Sequence, residues 1–165
     1  MPGLPVDRAA IKNALLARAT AATFSTPVNG FSTWASAPSR RLKLFNQVDP
    51  SAQPACFLVQ HRETYQRRGT GQLTRRYLDM GFWCYAPTGT PDAGIIGDDL
   101  LDLMEGALEA QLQPDDPVRH ELTLGGLLAP SGWCQIVRED NLFIRDPGDI
   151  DGQALLVLPV RILLP

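Results

Sequence analysis

Apolar and polar residues alternate most regularly between Ala55 and Tyr85, and the rest of the chain is read around this stretch. Its two halves read as strands joined at Arg68-Gly69-Thr70-Gly71, a Gly-X loop suited to a type II′ turn with Gly69 at positive φ. Setting Arg68 opposite Gly71 pairs Ala55 with Cys84, Phe57 with Phe82, Val59 with Met80 and His61 with Leu78. All but one of these residues are apolar and they share one face, so the pattern specifies the register. The other face carries Leu58, Gly81 and Trp83 at its base, then turns polar through Gln60 with Asp79 and Arg62 with Tyr77. Farther out Arg67, Arg68, Arg75 and Arg76 replace the apolar pattern, with Glu63 opposite Arg76. Ala55 to Arg68 would span roughly 45 Å at about 3.3 Å per residue, longer than a usual strand. The outer part, about 62–77, has too little apolar surface to be buried in its own domain and is expected to project. A bare two-stranded ribbon is barely stable in water, so such an arm points to contact with something else.

Two stretches repeat with the period of a helix. Asp7 is a fair N-cap for a helix running to about Ala22, with Ala10, Ala14, Ala17 and Ala21 in a small-sided stripe beside Ile11 and Leu15. Arg8, Lys12 and Asn13 are expected to face away from it. A second helix runs from about Ala93 to Gln113 and stops before Pro114; its apolar set includes Ile96, Leu100, Leu101, Met104 and Leu108. Asp98, Asp102, Glu105 and Glu109 fall at i, i+4, i+7 and i+11, forming one acidic face with nothing basic on the same helix. Like charges at that spacing cost a few tenths of a kcal/mol each. The stripe is therefore either a solvated face or a receiver of arginines from another chain.

Between these elements the pattern is irregular. Phe31 and Trp34 lie in a loop from Phe24 to Pro38 and are expected to plug the edge of the core. Arg40 to Phe45 reads as a short strand, and Asn46 to Pro54 as turns. The last third reads as strands: Glu121 to Leu124, bent at Gly125-Gly126 and continued by Leu127-Leu128, then Trp133 to Arg138, then Leu142 to Arg145. Gln153 to Leu164 closes the chain as a strong strand, which Pro159 places at an edge or at a position that bonds to no neighbour. The order helix, sheet, helix, sheet defines an α+β domain with a mostly antiparallel sheet, a long projecting hairpin and two helices packed on the sheet.

Composition narrows the possibilities without changing this picture. The chain has 165 residues, 44% hydrophobic and 20% charged, as expected for a single globular domain, 1–165. Its net charge of −3 gives no global field toward nucleic acid, and the basic arm is a local exception. Cys56, Cys84 and Cys134 are an odd set without paired spacing and are expected to be reduced, buried thiols of a cytoplasmic setting. The register above puts Cys56 and Cys84 on opposite faces. No stretch reads as a signal peptide or a membrane span. The only histidines are His61 and His120, and no Cys-x-x-Cys, His-x-x-x-His or phosphate-loop spacing occurs. No enzymatic activity, cofactor or metal is expected.

The succession of N-terminal helix, hairpin ending in Phe82-Trp83-Cys84-Tyr85, acidic helix, Leu122-Thr123-Leu124-Gly125-Gly126 and closing Leu158-Pro159-Val160-Arg161-Ile162 resembles the tail terminator proteins of long-tailed bacteriophages, also called minor tail or tail completion proteins. The resemblance covers the chain from about Asp7 to its end and leaves Phe24 to Pro54 unmatched. It implies a non-enzymatic virion protein of the tail and neck, assembled in the host cytoplasm. Such a protein forms a ring, commonly a hexamer, that caps the tail tube, ends its polymerisation and joins it to the head connector. The partners implied are other copies of the chain, the tail tube protein and the head–tail connector, with DNA passing through unrecognised and no membrane. A ring built by a heterologous interface needs two complementary patches on each subunit. Arg67, Arg68, Arg75 and Arg76 on one side, with Asp98, Asp102, Glu105 and Glu109 on the other, would supply them. A different connector or tail tube subunit, a DNA-binding module using the basic hairpin, and a small-molecule enzyme with a site around His61 and the cysteines are the competing readings.

Overall fold

The computed structural model describes residues 6–67, 69–70, 74–88, 93–139, 141–148 and 152–165. Helix α1 spans Arg8–Thr20, strands β1 and β2 span Ala55–Gln66 and Arg75–Pro87, and helix α2 spans Ala93–Gln111. Strands β3 (Trp133–Ile136), β4 (Ile144–Asp146) and β5 (Gln153–Leu163) complete the order. The five strands form one antiparallel sheet ordered β1-β2-β5-β3, with β4 also paired to β5. Both helices pack on one face, and the fold is α+β as the hydrophobic pattern implies.

Alternation along the strands builds that face. Leu78, Met80, Phe82 and Cys84 of β2 and Leu156, Leu158, Val160 and Ile162 of β5 are buried against the helices. Removing a fully buried ring such as Phe82 would cost about 3–5 kcal/mol through lost transfer energy and the cavity left behind. Helix α1 begins where expected, with Asp7 Oδ1 accepting from Ala10 N at 2.9 Å. Its buried stripe, however, is Ile11, Leu15 and Ala19, while Ala17 and Ala21 are exposed. The larger side chains take the core because they bury more apolar area. Trp34 plugs the core beneath α1, its indole donating to the Ala19 carbonyl at 2.8 Å and its ring meeting Phe24 edge-on at 5.0 Å. Phe31 remains 38% exposed, and on α2 Ile96 is also exposed.

The hairpin register differs from the expected one. Ala55 pairs with Tyr85, Cys56 with Cys84, Phe57 with Trp83 and Leu58 with Phe82, one residue away from the alternation-based pairing. The shift increases between Gln60 and Arg62, where β1 carries a bulge at His61. The physical reason is that both faces of the inner sheet are covered, so Ala55 and Phe57 do not need the helix-side core. They join Val48 and Tyr85 in a second cluster on the opposite face, capped by Leu42 and Ala52 from the preceding segment. That segment is held to the edge of β1 by the Leu58 N–H donating to the Ser39 carbonyl at 2.9 Å. Residues 40–45 form no strand; they bend into a one-turn 3₁₀ helix at Phe45–Gln47. Cys56 and Cys84, expected on opposite faces, therefore sit directly across from each other inside the core, where burial above all pushes the Cys84 thiol pKa up.

The projecting part of the hairpin is shorter than 62–77. β5 runs beside β2 as far as the Tyr77–Leu163 pair, and the Leu164 N–H continues to the Arg76 carbonyl at 2.9 Å. Arg62 to Thr64 and Tyr77 to Asp79 thus belong to the sheet, and the ribbon stands alone only from about Tyr65 and Arg76 outward. Its turn falls partly on Arg68 and Gly71, outside the described residues; Gly69 is at φ +72°.

Two further expectations for the last third change. Glu121 to Leu124 contributes only isolated bridges, Glu121 to Asp116 and Leu122 to Cys134, and residues 124–131 form turns, with Leu124, Gly125 and Gly126 all at positive φ. β5 is a central strand in which Pro159 takes the second of its two allowed placements. β3 pairs with Val160–Leu163 and β4 with Leu155–Val157, leaving Pro159 in the gap between them. Its carbonyl accepts from Val137 N at 3.0 Å on that side, and the missing N–H would have pointed the same way, so no ladder bond is lost.

Candidate functional site: a polar groove, a basic tip and an acidic helix

Beyond the second apolar cluster, the sheet face opposite the helices changes character toward the turn end of the hairpin. The bulge turns His61 over Gly81, where a side chain would collide with the imidazole, and sets Arg62 on the same face opposite Asp79. Asp79 is 4% exposed and accepts from Arg62 Nε at 2.7 Å and from Arg161 Nε at 2.7 Å. Burial pushes the Asp79 carboxyl up, but the two guanidinium groups outweigh it and hold the pKa below the usual carboxylate range. Above this floor Tyr77 and Trp133 face each other at 6.3 Å, and Thr64, Gln66 and Gln135 complete a concavity of about 430 Å³. Two cations, one buried anion, neutral amides and an aromatic wall share this groove. No single stretch of sequence marks it, because its residues come from β1, β2, β3 and β5. The available signal was weak: Arg161 is the one charge in β5, and Asp79 the one acid in β2.

The basic tip lies past the groove. Arg67 and Arg75 are exposed and make no ion pair among the described residues, Arg76 is half-buried, and Arg68 lies outside the described residues. Glu63, expected opposite Arg76, pairs with Leu78 across the ladder and forms a two-pronged salt bridge with Arg8 of α1, at 2.6 and 3.1 Å. That pair ties the start of α1 to the hairpin, so Arg8 does not simply face solvent.

The acidic face of α2 is occupied by arginines of its own chain. Arg145 on β4 contacts Asp98 at 3.1 Å, Asp102 at 2.6 Å and Glu105, while Arg138 pairs with Glu105 at 3.1 Å and with Glu109. Glu105 is 9% exposed and is the buried centre of this network, whereas the Asp98 and Asp102 side chains stay 64% and 66% exposed. Burial works against the Arg145 charge, but Asp102, Asp98 and Glu105 together raise its pKa. Sequence reading missed these partners because Arg138 lies 33 residues from Glu105 and Arg145 lies 47 residues from Asp98 along the chain. The stripe keeps an excess of negative charge, concentrated at its Asp98–Asp102 end.

The Thr123-Leu124-Gly125-Gly126 step wraps a carboxylate. Asp115 accepts from Thr123 N at 2.6 Å, Thr123 Oγ1 at 2.8 Å and Gly125 N at 2.8 Å. Arg18 of α1 closes the arrangement, donating to Asp115 at 2.8 Å and to the Gln111 carbonyl at the end of α2 at 3.0 Å. This junction joins both helices to the turn and is structural in character. Among the described residues, no group of three or more His, Cys, Asp or Glu is arranged to hold a metal, and no helix is long and apolar enough to cross a membrane. Neither a protein-family model nor a curated protein sequence matches the chain.

Proposed function

We propose that this chain is a tail terminator protein of a long-tailed bacteriophage, a structural virion subunit with no enzymatic role. In this reading it forms a ring, commonly a hexamer, that caps the tail tube, ends its polymerisation and joins the tail to the head connector. The observation that carries the reading is the order of parts: N-terminal helix, long hairpin, acidic helix, Thr123-Leu124-Gly125-Gly126 turn and closing strand β5. Two surface features support it. A basic hairpin tip and a helix with unbalanced negative charge are the two unlike patches that a head-to-tail ring interface needs. DNA would pass through such a ring without specific contact, which suits a net charge of −3.

The test is electron microscopy of particles made when the gene is deleted from its parent virus or prophage. Overlong, headless tubes are the expected result, since nothing would stop tube growth. Tails of normal length without heads would overturn the terminator role in favour of a connector, and normal virions would overturn both.

A further inference from the structure

We propose that the side of the molecule formed by α1, residues 39–43 and the edge strand β1 binds the phosphate backbone of double-stranded DNA without reading its sequence. The proposal does not depend on a role in tails. It begins with a separation of charge along the chain. Eleven of the fifteen Lys and Arg precede Asp79, but only three of the eighteen Asp and Glu do. The fold gathers much of this positive charge along one border. Ser39 is joined to the outer edge of β1, where the Leu58 N–H donates to its carbonyl at 2.9 Å. Arg40 then donates to Asn13 Oδ1 of α1 at 3.2 Å, which sets Arg40 beside Lys12. Farther along the same strand Arg8 of α1 holds Glu63, and Arg76 adds its positive charge there. Arg67 and Arg75 follow at the hairpin tip. From Leu58 to Arg67 the border runs about 30 Å at about 3.3 Å per residue.

The acids on this side are engaged internally. Asp7 caps α1, Asp49 accepts from Ser51 N at 2.8 Å in the turn before β1, and Glu63 is held by Arg8. Arg41, Lys43, Arg67 and Arg75 are exposed and, like the half-buried Lys12, make no ion pair among the described residues. A chain with a net charge of −3 thus carries an uncompensated positive border. Phosphates recur about every 3.4 Å of axis along each strand of a duplex, so DNA can meet cations over the whole border. The outward charge of α2 in another copy is gathered at Asp98–Asp102, about one helical turn, and would meet only one end of it. Lys and Arg contacts to phosphate position a protein on DNA and carry no sequence information.

Fluorescence anisotropy with labelled 24-base-pair duplexes of two unrelated sequences tests this, in 50 to 200 mM monovalent salt. Both duplexes should bind equally within about twofold. Affinity should fall about 500-fold across that salt range if about five phosphates are neutralised. Arg41→Glu/Lys43→Glu changes two exposed positions outside helix and sheet. It should weaken binding at least tenfold at 50 mM salt and lower the salt slope by about two, with an unchanged melting temperature. Glu139→Lys, exposed beyond β3 at the opposite edge of the sheet, should leave the affinity within about twofold. Four outcomes would each overturn the proposal: no binding at 50 mM salt, undiminished binding by Arg41→Glu/Lys43→Glu, a gain from Glu139→Lys as large as that loss, or full displacement by an equal charge of polyglutamate, which would favour an acidic protein partner. Both variants leave the hairpin tip and the Asp98–Asp102 end of α2 unchanged, so DNA binding can fail while ring assembly stands, and the reverse.

Discussion

At the scale of single residues, the buried and half-buried carboxylates carry the clearest consequences. Asp115 holds the turn after α2 through three hydrogen bonds and an ion pair with Arg18. Burial raises its pKa, yet the Gly125 and Thr123 donors and the Arg18 charge outweigh that and set it below the ordinary carboxylate value. A depressed folded pKa means stability that is complete above the unfolded value of about 3.9 and is lost as pH falls through the folded one. Asp115→Ala should therefore cost about 2 kcal/mol at neutral pH, a fall of roughly 4–8 °C in melting temperature. The gap between the two proteins should narrow as pH drops below about 4, where the native carboxylate is protonated too. Thermal melts at pH 7, 5, 4 and 3 check this, and a constant gap across the series would contradict the assignment. Leu124 shows why the turn needs such an anchor. It is 4% exposed at φ +54°, a conformation that costs a branched side chain of order 1 kcal/mol, offset here by its burial and by the bonds to Asp115 on either side. The Leu-Gly-Gly spelling was visible in sequence as a bend, but the carboxylate inside it was not, since Asp115 had the look of an ordinary polar loop residue.

At the scale of elements, α2 is fixed by two devices on opposite sides. Its apolar face packs on β5, and its acidic face is clasped by Arg138 and Arg145 from the β3–β4 region. The close approach that allows the second contact occurs at Gly97, where a methyl group would collide with the Pro147 carbonyl. Gly97→Ala should therefore destabilise by about 1–2 kcal/mol, the overpacking outweighing the gain of about 1 kcal/mol in helix propensity. Gly106 in the same helix has open space around it, so Gly106→Ala should instead stabilise by up to about 1 kcal/mol. Denaturant midpoints moving in the same direction for both variants would show that packing at Pro147 does not control the helix. Much of the element layout was legible before the structure: both helices, the long hairpin and the closing strand follow from period and punctuation. The register of β1 was not, because alternation is ambiguous when both faces are apolar, and Phe57 serves the second cluster as readily as Leu58 serves the first. The bulge at His61 then moved Arg62 onto the face of Asp79 and so created the groove, a consequence that no local pattern announces.

At the scale of the whole molecule, the question is which charges remain for a neighbour once the internal pairs are formed. Glu105 and Glu109 are engaged by Arg145 and Arg138, so the outward charge of α2 lies at Asp98, Asp99 and Asp102, and Arg145 alone offsets it. On the other side, Arg67 and Arg75 at the hairpin tip are exposed and Arg76 lies at its base, whereas Arg62 and Arg8 are paired with Asp79 and Glu63. If copies of the chain assemble head to tail through these patches, Arg75→Glu/Arg76→Glu should reduce the ring to monomers, because like charges would then face each other. Sedimentation at low salt measures this directly, and the wild-type ring should itself loosen as salt rises through the range where exposed charges are screened. Asp98→Lys/Asp102→Lys combined with the tip variant should restore assembly by exchanging the partners. Rings formed equally well by the tip variant alone would remove the basic tip from the interface. Failure of the exchange, with rings lost in the tip variant, would keep the tip and place its receiver elsewhere than on α2.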